Sequence, residues 1–489
     1  MATTAVSRPR LEPFIQRHGL WNDEQREAAD RVRAEIRERG LRFIRLGWGD
    51  QHGIVRGKTL SVPEFMRVLE DGKDFQLVTT LFDTTNHPIV APFAGEGPFG
   101  VEEMMGLPDG VLVPDPTTFH VLPWVPDTGW LLADAHLNSG APCPFSTRQL
   151  LRQQISRLAS EGFEYTTGLE IEFYVTRLLD PRLSPEESGW PPEPPRVEAL
   201  AHGFQYLTEN RNDEVDEILS VIWGTLEGLG LPIASLEDEW GPGQCEVTFG
   251  PQPAMRAADD ALLVRTAIKQ VCRRHGYHAT FMACPALPNF FFSGWHLHQS
   301  LVDTATGANA FTERQGDELL SEVGRGFLGG LLEHAGAASV FTTPTITGYK
   351  RFRPDSFAPE NACWAFENRG AMLRVIGGPG SEGARIENRI GDPAANPYLY
   401  MASQLVAGRA GIAAGTDPGP PVSAAYLNDR PRLPHSLMEA LDALRADTLF
   451  RAELGDTFVD YMLGLKSFEV SRFLSHVTDW EQREYFEVF

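Results

Sequence analysis

Alternation is the clearest signal in this chain. From Gly168 to Val175, Leu169, Ile171 and Phe173 take one face of a predicted strand while Glu170 and Glu172 share the other. The same period of two runs through Gly294-Trp295-His296-Leu297-His298-Gln299-Ser300, which puts His296 and His298 on one face. It returns in Arg385-Ile386-Glu387-Asn388-Arg389, where two guanidinium groups flank one carboxylate. Glu239-Trp240-Gly241-Pro242-Gly243-Gln244-Cys245-Glu246 reads as a turn that feeds the strand Val247-Thr248-Phe249, with a carboxylate at each end. Elsewhere the period is helical. Within residues 1–40, Asn22 is the expected N-cap of a charged helix, Ala28, Val32 and Ile36 form its apolar side, and Gly40 ends it. Leu41-Arg42-Phe43-Ile44-Arg45-Leu46 opens a series of short strands reaching to about residue 140, with turns such as Pro108-Asp109-Gly110. The stretch from Gly326 to His334 is apolar nearly all round and reads as a core helix. Trp190-Pro191-Pro192-Glu193-Pro194-Pro195 is expected to be a surface loop. Gly377-Gly378-Pro379-Gly380 is expected to be a plain turn, because the Lys-Ser/Thr of a phosphate loop does not follow it.

Two glutamates side by side repel, and burying them without a partner is costly. A divalent cation resolves both problems, and hard oxygen ligands at this spacing suit Mg²⁺ or Mn²⁺. Each segment alone has a blander reading: a solvated strand face, a pair of satisfied core histidines, a surface ion-pair ladder. Four of them in one chain point to one polar, metal-lined cavity.

Composition narrows the class. The 489 residues carry 43 Lys plus Arg against 66 Asp plus Glu, a net charge of −23, which argues against a nucleic-acid or anionic-membrane partner. Five scattered cysteines without a Cys-x-x-Cys pair do not make a disulfide framework. There is no apolar run of about eighteen residues and no basic-then-apolar start, so no membrane span or signal peptide is expected and the reading is cytoplasmic. Three pieces are expected: a helical extension (1–40), a small domain (41–140) and a large domain (141–489).

The motifs, taken in order, resemble the glutamine synthetase superfamily. The set runs from Asp50 with Gly53, through Gly168-x-Glu170-x-Glu172-Phe173, Glu239 to Glu246 with Gln244, and Phe281-Met282. It continues with Ser293-Gly294-x-His296-x-His298-Gln299-Ser300, Tyr349-Lys350-Arg351-Phe352, Asn368-Arg369 with Arg374, Arg385-x-Glu387-x-Arg389, and Asn396-Pro397-Tyr398-Leu399. The resemblance spans roughly residues 40 to 489. It implies an α+β, glutamine synthetase-like fold: a small N-terminal β-grasp domain, and a large catalytic α/β domain whose curved antiparallel sheet forms the active-site cavity. It also implies a chemistry. ATP phosphorylates the γ-carboxylate of glutamate, and an amine then displaces phosphate with the help of two divalent ions, Mg²⁺ or Mn²⁺. By resemblance, Glu172, Glu239 and Glu246 hold the first ion, and Glu170, His296 and Glu387 the second. Arg351 and Arg389 match the guanidiniums that grip glutamate's α-carboxylate, and Arg369 the group that stabilises the moving phosphoryl. Arg374 and Arg385 match nucleotide contacts, with His298 and Ser300 beside them. The small domain, with Asp50, is implied to complete the site of a neighbouring subunit in a homo-oligomer of stacked hexameric rings, a dodecamer. Tyr426 lies where some members are adenylylated, but its neighbours do not match, so no such modification is expected.

The departures concern the amine. Ammonia-using members carry a glutamate six residues past the Tyr-Lys-Arg arginine, where this chain has Phe357. Phe291 and Phe292 replace an Asn-Gly pair before the His-x-His strand, and Cys284 replaces a lysine. Phe204, or alternatively Tyr206, falls at the ammonium-site tyrosine. These rings suit an apolar or aromatic amine, as in the γ-glutamyl-amide synthetases, with γ-glutamylanilide formation as the leading expectation. Polyamines, alkylamines and ammonia are the alternatives. A catalytically silent structural or sensor homologue is the non-enzyme alternative.

Overall fold

The computed structural model describes residues 12–489 except 92, 94, 181–183, 313–318 and 355. The first eleven residues of the expected extension therefore lie outside the described ones. The helix read from residues 1–40 forms over Asp23–Arg39. Asn22 accepts from the Gln25 N–H while the Gln25 side chain returns the bond, and Gly40 closes the helix at φ +62°.

Six strands follow: β1 (Phe43–Gly49), β2 (Val55–Ser61), β3 (Lys73–Gln76), β4 (Asp109–Pro114), β5 (His120–Val121) and β6 (Thr128–His136). They form one sheet in the order β2-β1-β6-β4-β3, with β5 on β6. β1 and β6 run parallel, and the helix Val62–Asp71 packs against the sheet, giving a β-grasp-like small domain. The turn expected at Pro108-Asp109-Gly110 is instead the start of β4, and the positive φ angles fall just before it, at Gly106 and Leu107. Gly110 is needed inside the strand: a Cβ there would lie 2.7 Å from His136 O and 2.8 Å from Leu77 Cδ2.

The second sheet has nine strands: β7 (Phe163–Leu178), β8 (Val197–Ala199), β9 (Ile233–Asp238), β10 (Gln244–Pro253), β11 (Tyr277–Thr280), β12 (Trp295–Asp303), β13 (Trp364–Phe366), β14 (Leu373–Ile376) and β15 (Arg385–Gly391). The order is β13-β14-β15-β12-β7-β10-β9, with β8 and β11 on β7. The expected antiparallel sheet is present, and at one edge β13 and β14 run parallel. Ile171, Leu169, Val247, Leu297 and Trp295 are buried on the apolar face, against which the helix Ala254–Arg274 packs. Their alternation with polar residues leaves the other face to the site.

One continuous apolar core joins the two sheets. A buried ion cluster crosses the same junction. Arg148 pairs with Asp115 and Asp134 of the small domain at 2.8 and 2.9 Å, and with Asp259 of the helix Ala254–Arg274 at 2.8 Å. The core helix expected around Gly326 is Glu322–Glu333. The Pro-rich segment is an exposed loop, with Trp190 stacked on His87 of the small domain at 3.7 Å. Residues 377–380 form a turn. All five cysteines are free. Among the described residues no helix is long and apolar enough to cross a membrane.

Candidate active site

Register explains the site. β7 lies between β10 and β12, so its polar face meets theirs. Glu172 stands opposite Glu246, and Glu170 opposite His296. One strand further out, His298 stands opposite Glu387, and Glu387 opposite Arg374. Directly opposed residues on one face have Cβ atoms about 5 Å apart, so four separate stretches of sequence converge on one point. A cavity of about 1680 Å³ opens over this face. Every residue expected in the site lines it except Asp50, Arg374 and Glu387.

Glu387 lies beneath the floor, wholly buried. Arg389 approaches it at 2.5 Å and Arg374 at 3.1 Å. Burial opposes its ionisation, but Arg389, His296 and His298 outweigh that and hold its carboxyl below the usual range. Glu170 behaves alike. Against the same burial cost, its carboxylate meets His296 Nδ1 at 3.1 Å and His298 Nε2 at 2.8 Å, and these bonds keep it ionised. Arg385 Nε donates to His298 Nδ1 at 3.0 Å, which fixes that ring.

The neighbouring carboxylates have no such partners. Burial, followed by the Glu172 charge, pushes Glu239 up to about 8. The same two causes, joined by Glu170, raise Glu246 well above the ordinary carboxylate range. Donor atoms of Glu170, Glu246 and His296 lie within 4.8 Å of one another, as do those of Glu170, His298 and Glu387. Oxygen-rich, mutually repelling donors with imidazole at hand fit a hard divalent cation.

Arg351 and Arg389 both line the cavity. Arg351 is buried and donates to Ile390 O at 2.5 Å, while Arg389 Nε donates to Arg369 O at 2.8 Å. Around the same cavity stand Phe204, Phe291, Phe292 and Phe357. Phe204 and Phe291 meet edge to face at 5.4 Å. Arg353 lies over the Phe292 ring at 5.0 Å. Phe204 and Phe357 have φ of +67° and +60°, a region that bulky residues seldom adopt, and both rings are more than half exposed to the cavity or solvent. Tyr426 donates to Ala358 O at 3.2 Å, beside Phe357.

Asp50 sits elsewhere. Its buried carboxylate accepts from the N–H groups of His52 and Ile54 and from Arg56 Nε, each at 2.9 Å. Sequence reasoning missed Glu237, which stands opposite Glu246 and lines the cavity. The signal was present: Ser235, Glu237 and Glu239 alternate with Leu236 and Asp238. It also gave no role to Tyr174, although that residue continues the row of Glu170 and Glu172.

Residues 144–485 match the family model described as glutamine synthetase, catalytic domain, and the chain belongs to the glutamine synthetase family. Among individual relatives, it is similar to a gamma-glutamylanilide synthase of Acinetobacter sp, 47% identical over 97% of this chain and 99% of the relative. A glutamate–isopropylamine ligase of Pseudomonas sp is 32% identical over 96% and 100% of the two chains. The solved structure of a GmaS/ADP complex superposes with a TM-score of 0.78 at 28% identity, covering 93% of this chain and 99% of the other.

Proposed function

We propose that this ligase joins the γ-carboxylate of L-glutamate to an apolar, aromatic amine, through a γ-glutamyl phosphate made at the expense of ATP. Arg351 and Arg389 hold the α-carboxylate of glutamate. Glu172, Glu239 and Glu246 hold one divalent ion, and Glu170, His296 and Glu387 a second. Bound there, Mg²⁺ or Mn²⁺ neutralises the converging phosphate and carboxylate charges. Arg369 steadies the phosphoryl group in transfer, while Arg374, Arg385, His298 and Ser300 face the nucleotide.

One observation carries the choice of amine: the cavity is lined by Phe204, Phe291 and Phe292, and by Phe357 at the position where ammonia-using members carry a glutamate. An aniline is already neutral at pH 7, so it needs no base to be freed of a proton. The similarity to a protein named gamma-glutamylanilide synthase supports the same reading. A silent structural or sensor homologue would have no use for such a complete set of carboxylates, imidazoles and guanidiniums. The deciding experiment is a phosphate-release screen with glutamate, ATP and Mg²⁺ across ammonia, alkylamines, polyamines and anilines. The highest kcat/KM is expected with an aniline. Ammonia as the best substrate would make this a glutamine synthetase instead.

The active form is a homo-oligomer, a dodecamer, in which residues 41–140 with Asp50 complete a neighbour's site. Two features support this: Asp50 lies outside its own chain's cavity, and Trp480, Phe486, Val488 and Phe489 are left exposed at the C-terminus. An active monomer by solution scattering would refute it. The working compartment is the cytoplasm.

A further inference from the structure

The rings at the cavity mouth are not independent of the metal-ligand strands. Tyr174, on β7, shares a face with Glu170 and Glu172. Its hydroxyl accepts from the Phe291 N–H at 2.7 Å, and its proton is shared between Phe291 O at 3.3 Å and Gln244 Oε1 at 3.4 Å. Its ring stacks on Phe290 at 4.4 Å. Gln244 is buried next to it. Its amide nitrogen donates to Glu172 Oε2 at 2.9 Å and to Phe292 O at 3.0 Å. Its amide oxygen accepts from the Gly241 N–H at 3.0 Å.

Gly241 must be glycine for this arrangement, because a Cβ there would fall 1.9 Å from the Tyr174 hydroxyl. The second ring hangs from the same turn: the Phe204 N–H donates to Trp240 O at 2.8 Å. Both members of the Phe204–Phe291 edge-to-face pair are thus tied to residues 239–246, whose two ends are the carboxylates Glu239 and Glu246.

We propose that Tyr174 and Gln244 are positioning residues that set the width of the amine pocket by anchoring Phe291 to the strand carrying Glu172. The inference rests on the reading of the pocket as an aromatic-amine site. It adds that amine preference is governed from behind the rings, by the buried Tyr174 hydroxyl, which lies outside the cavity lining, and by the buried Gln244 amide at its edge. A loop ring without this tether leaves its place at small cost, and a bulky amine loses its wall. Gln244 serves both neighbours, so its loss also leaves Glu172 Oε2 with the Gly294 N–H, at 3.0 Å, as its remaining donor.

The test is Tyr174→Phe, which removes one oxygen and keeps the ring that stacks on Phe290. Its kcat/KM with an aniline should fall about fivefold, the effect of one neutral hydrogen bond. KM for glutamate and ATP, and kcat/KM with methylamine, should stay within about twofold of wild type. In a Phe291→Ala background the same change should have no further effect on the aniline-to-methylamine ratio. Gln244→Met should weaken both aniline use and Mg²⁺ activation, and it serves as the second probe if Tyr174→Phe folds poorly. A parallel loss with every amine, or additive effects of Tyr174→Phe and Phe291→Ala, would overturn the proposal. If the wild type prefers ammonia, the apolar-amine reading falls by itself, and non-additivity of the same cycle on any two amines still decides whether the tether exists.

Discussion

The two sides of the carboxylate cluster solve the problem of buried charge differently. On one side Glu170 and Glu387 are surrounded by His296, His298, Arg374 and Arg389, and both stay ionised within the chain's own hydrogen bonds. On the other, Glu239 and Glu246 lie near Glu172, and burial with that neighbouring charge holds their protons on. In the metal-free chain the first side is balanced by imidazoles and guanidiniums, whereas Glu239 and Glu246 are balanced by protons. One side is held together by opposite charges, while the other gathers carboxyl groups whose mutual repulsion a divalent cation would relieve.

Four experiments break or sharpen this contrast. The largest effect is expected from Glu172→Gln, which should cut phosphate release on the order of 10³-fold, as should complete chelation of Mg²⁺ and Mn²⁺. Full wild-type turnover in chelator would remove the metal from the account. Next come opposite changes in stability. In metal-free protein, Glu387→Gln takes the carboxylate from Arg389 and leaves Arg374 with Glu367 alone, and should destabilise by about 3 kcal/mol. Glu246→Gln spares the fold the cost of holding a proton on that buried carboxyl and should raise the metal-free melting temperature, by about 1 kcal/mol of stability. Shifts of the same sign in the two variants would erase the distinction.

The third test is pH. Glu239 is raised from its ordinary 4.5 to about 8, so the metal-free fold binds a proton there that the unfolded chain has already released. That contribution is complete below about pH 4.5 and is lost as pH rises through 8. An ion must displace the proton, so the rise in melting temperature given by Mg²⁺ should grow steadily from pH 6 to 8. A pH-independent Mg²⁺ shift would contradict the assignment. The smallest effect concerns Phe357, whose half-exposed ring contributes only part of its area. Phe357→Ala should raise KM for an aniline roughly fivefold and leave KM for glutamate nearly unchanged. Phe357→Glu should lower aniline use and raise ammonia use. An equal rise in both KM values for Phe357→Ala would take the ring out of the amine site.

Much of the site could be read from alternation alone. Glu170, Glu172, His296, His298 and Glu387 all sit on polar strand faces, where a period of two puts them. Sequence could not reveal which strand lies beside which. The order β15-β12-β7-β10 is a tertiary fact, and it decides that Glu172 meets Glu246 whereas Glu170 meets His296. Glu237 escapes notice because, in the acidic run Glu237-Asp238-Glu239, sequence alone does not separate a cavity carboxylate from a solvated one until the strand opposite is known. Gly110 was mistaken for a turn because Pro-Asp-Gly is turn chemistry wherever it occurs, and only the nearness of His136 O explains a glycine in a strand. The aromatic substitutions were visible, but their hydrogen-bonded link to Tyr174 joins residues more than a hundred positions apart.

The strand register also sets where this chain tolerates a change in length. One residue inserted within β7 would exchange the row of Glu170, Glu172 and Tyr174 for that of Leu169, Ile171 and Phe173, and every ligand opposite would face a hydrocarbon. Phe204, Phe291, Phe292 and Phe357 lie on connections between strands, where added or deleted residues shift mainly their own segment. Lineages of this fold can therefore diverge in the amine they accept through insertions and deletions. Their phosphoryl-transfer core can change only by substitution.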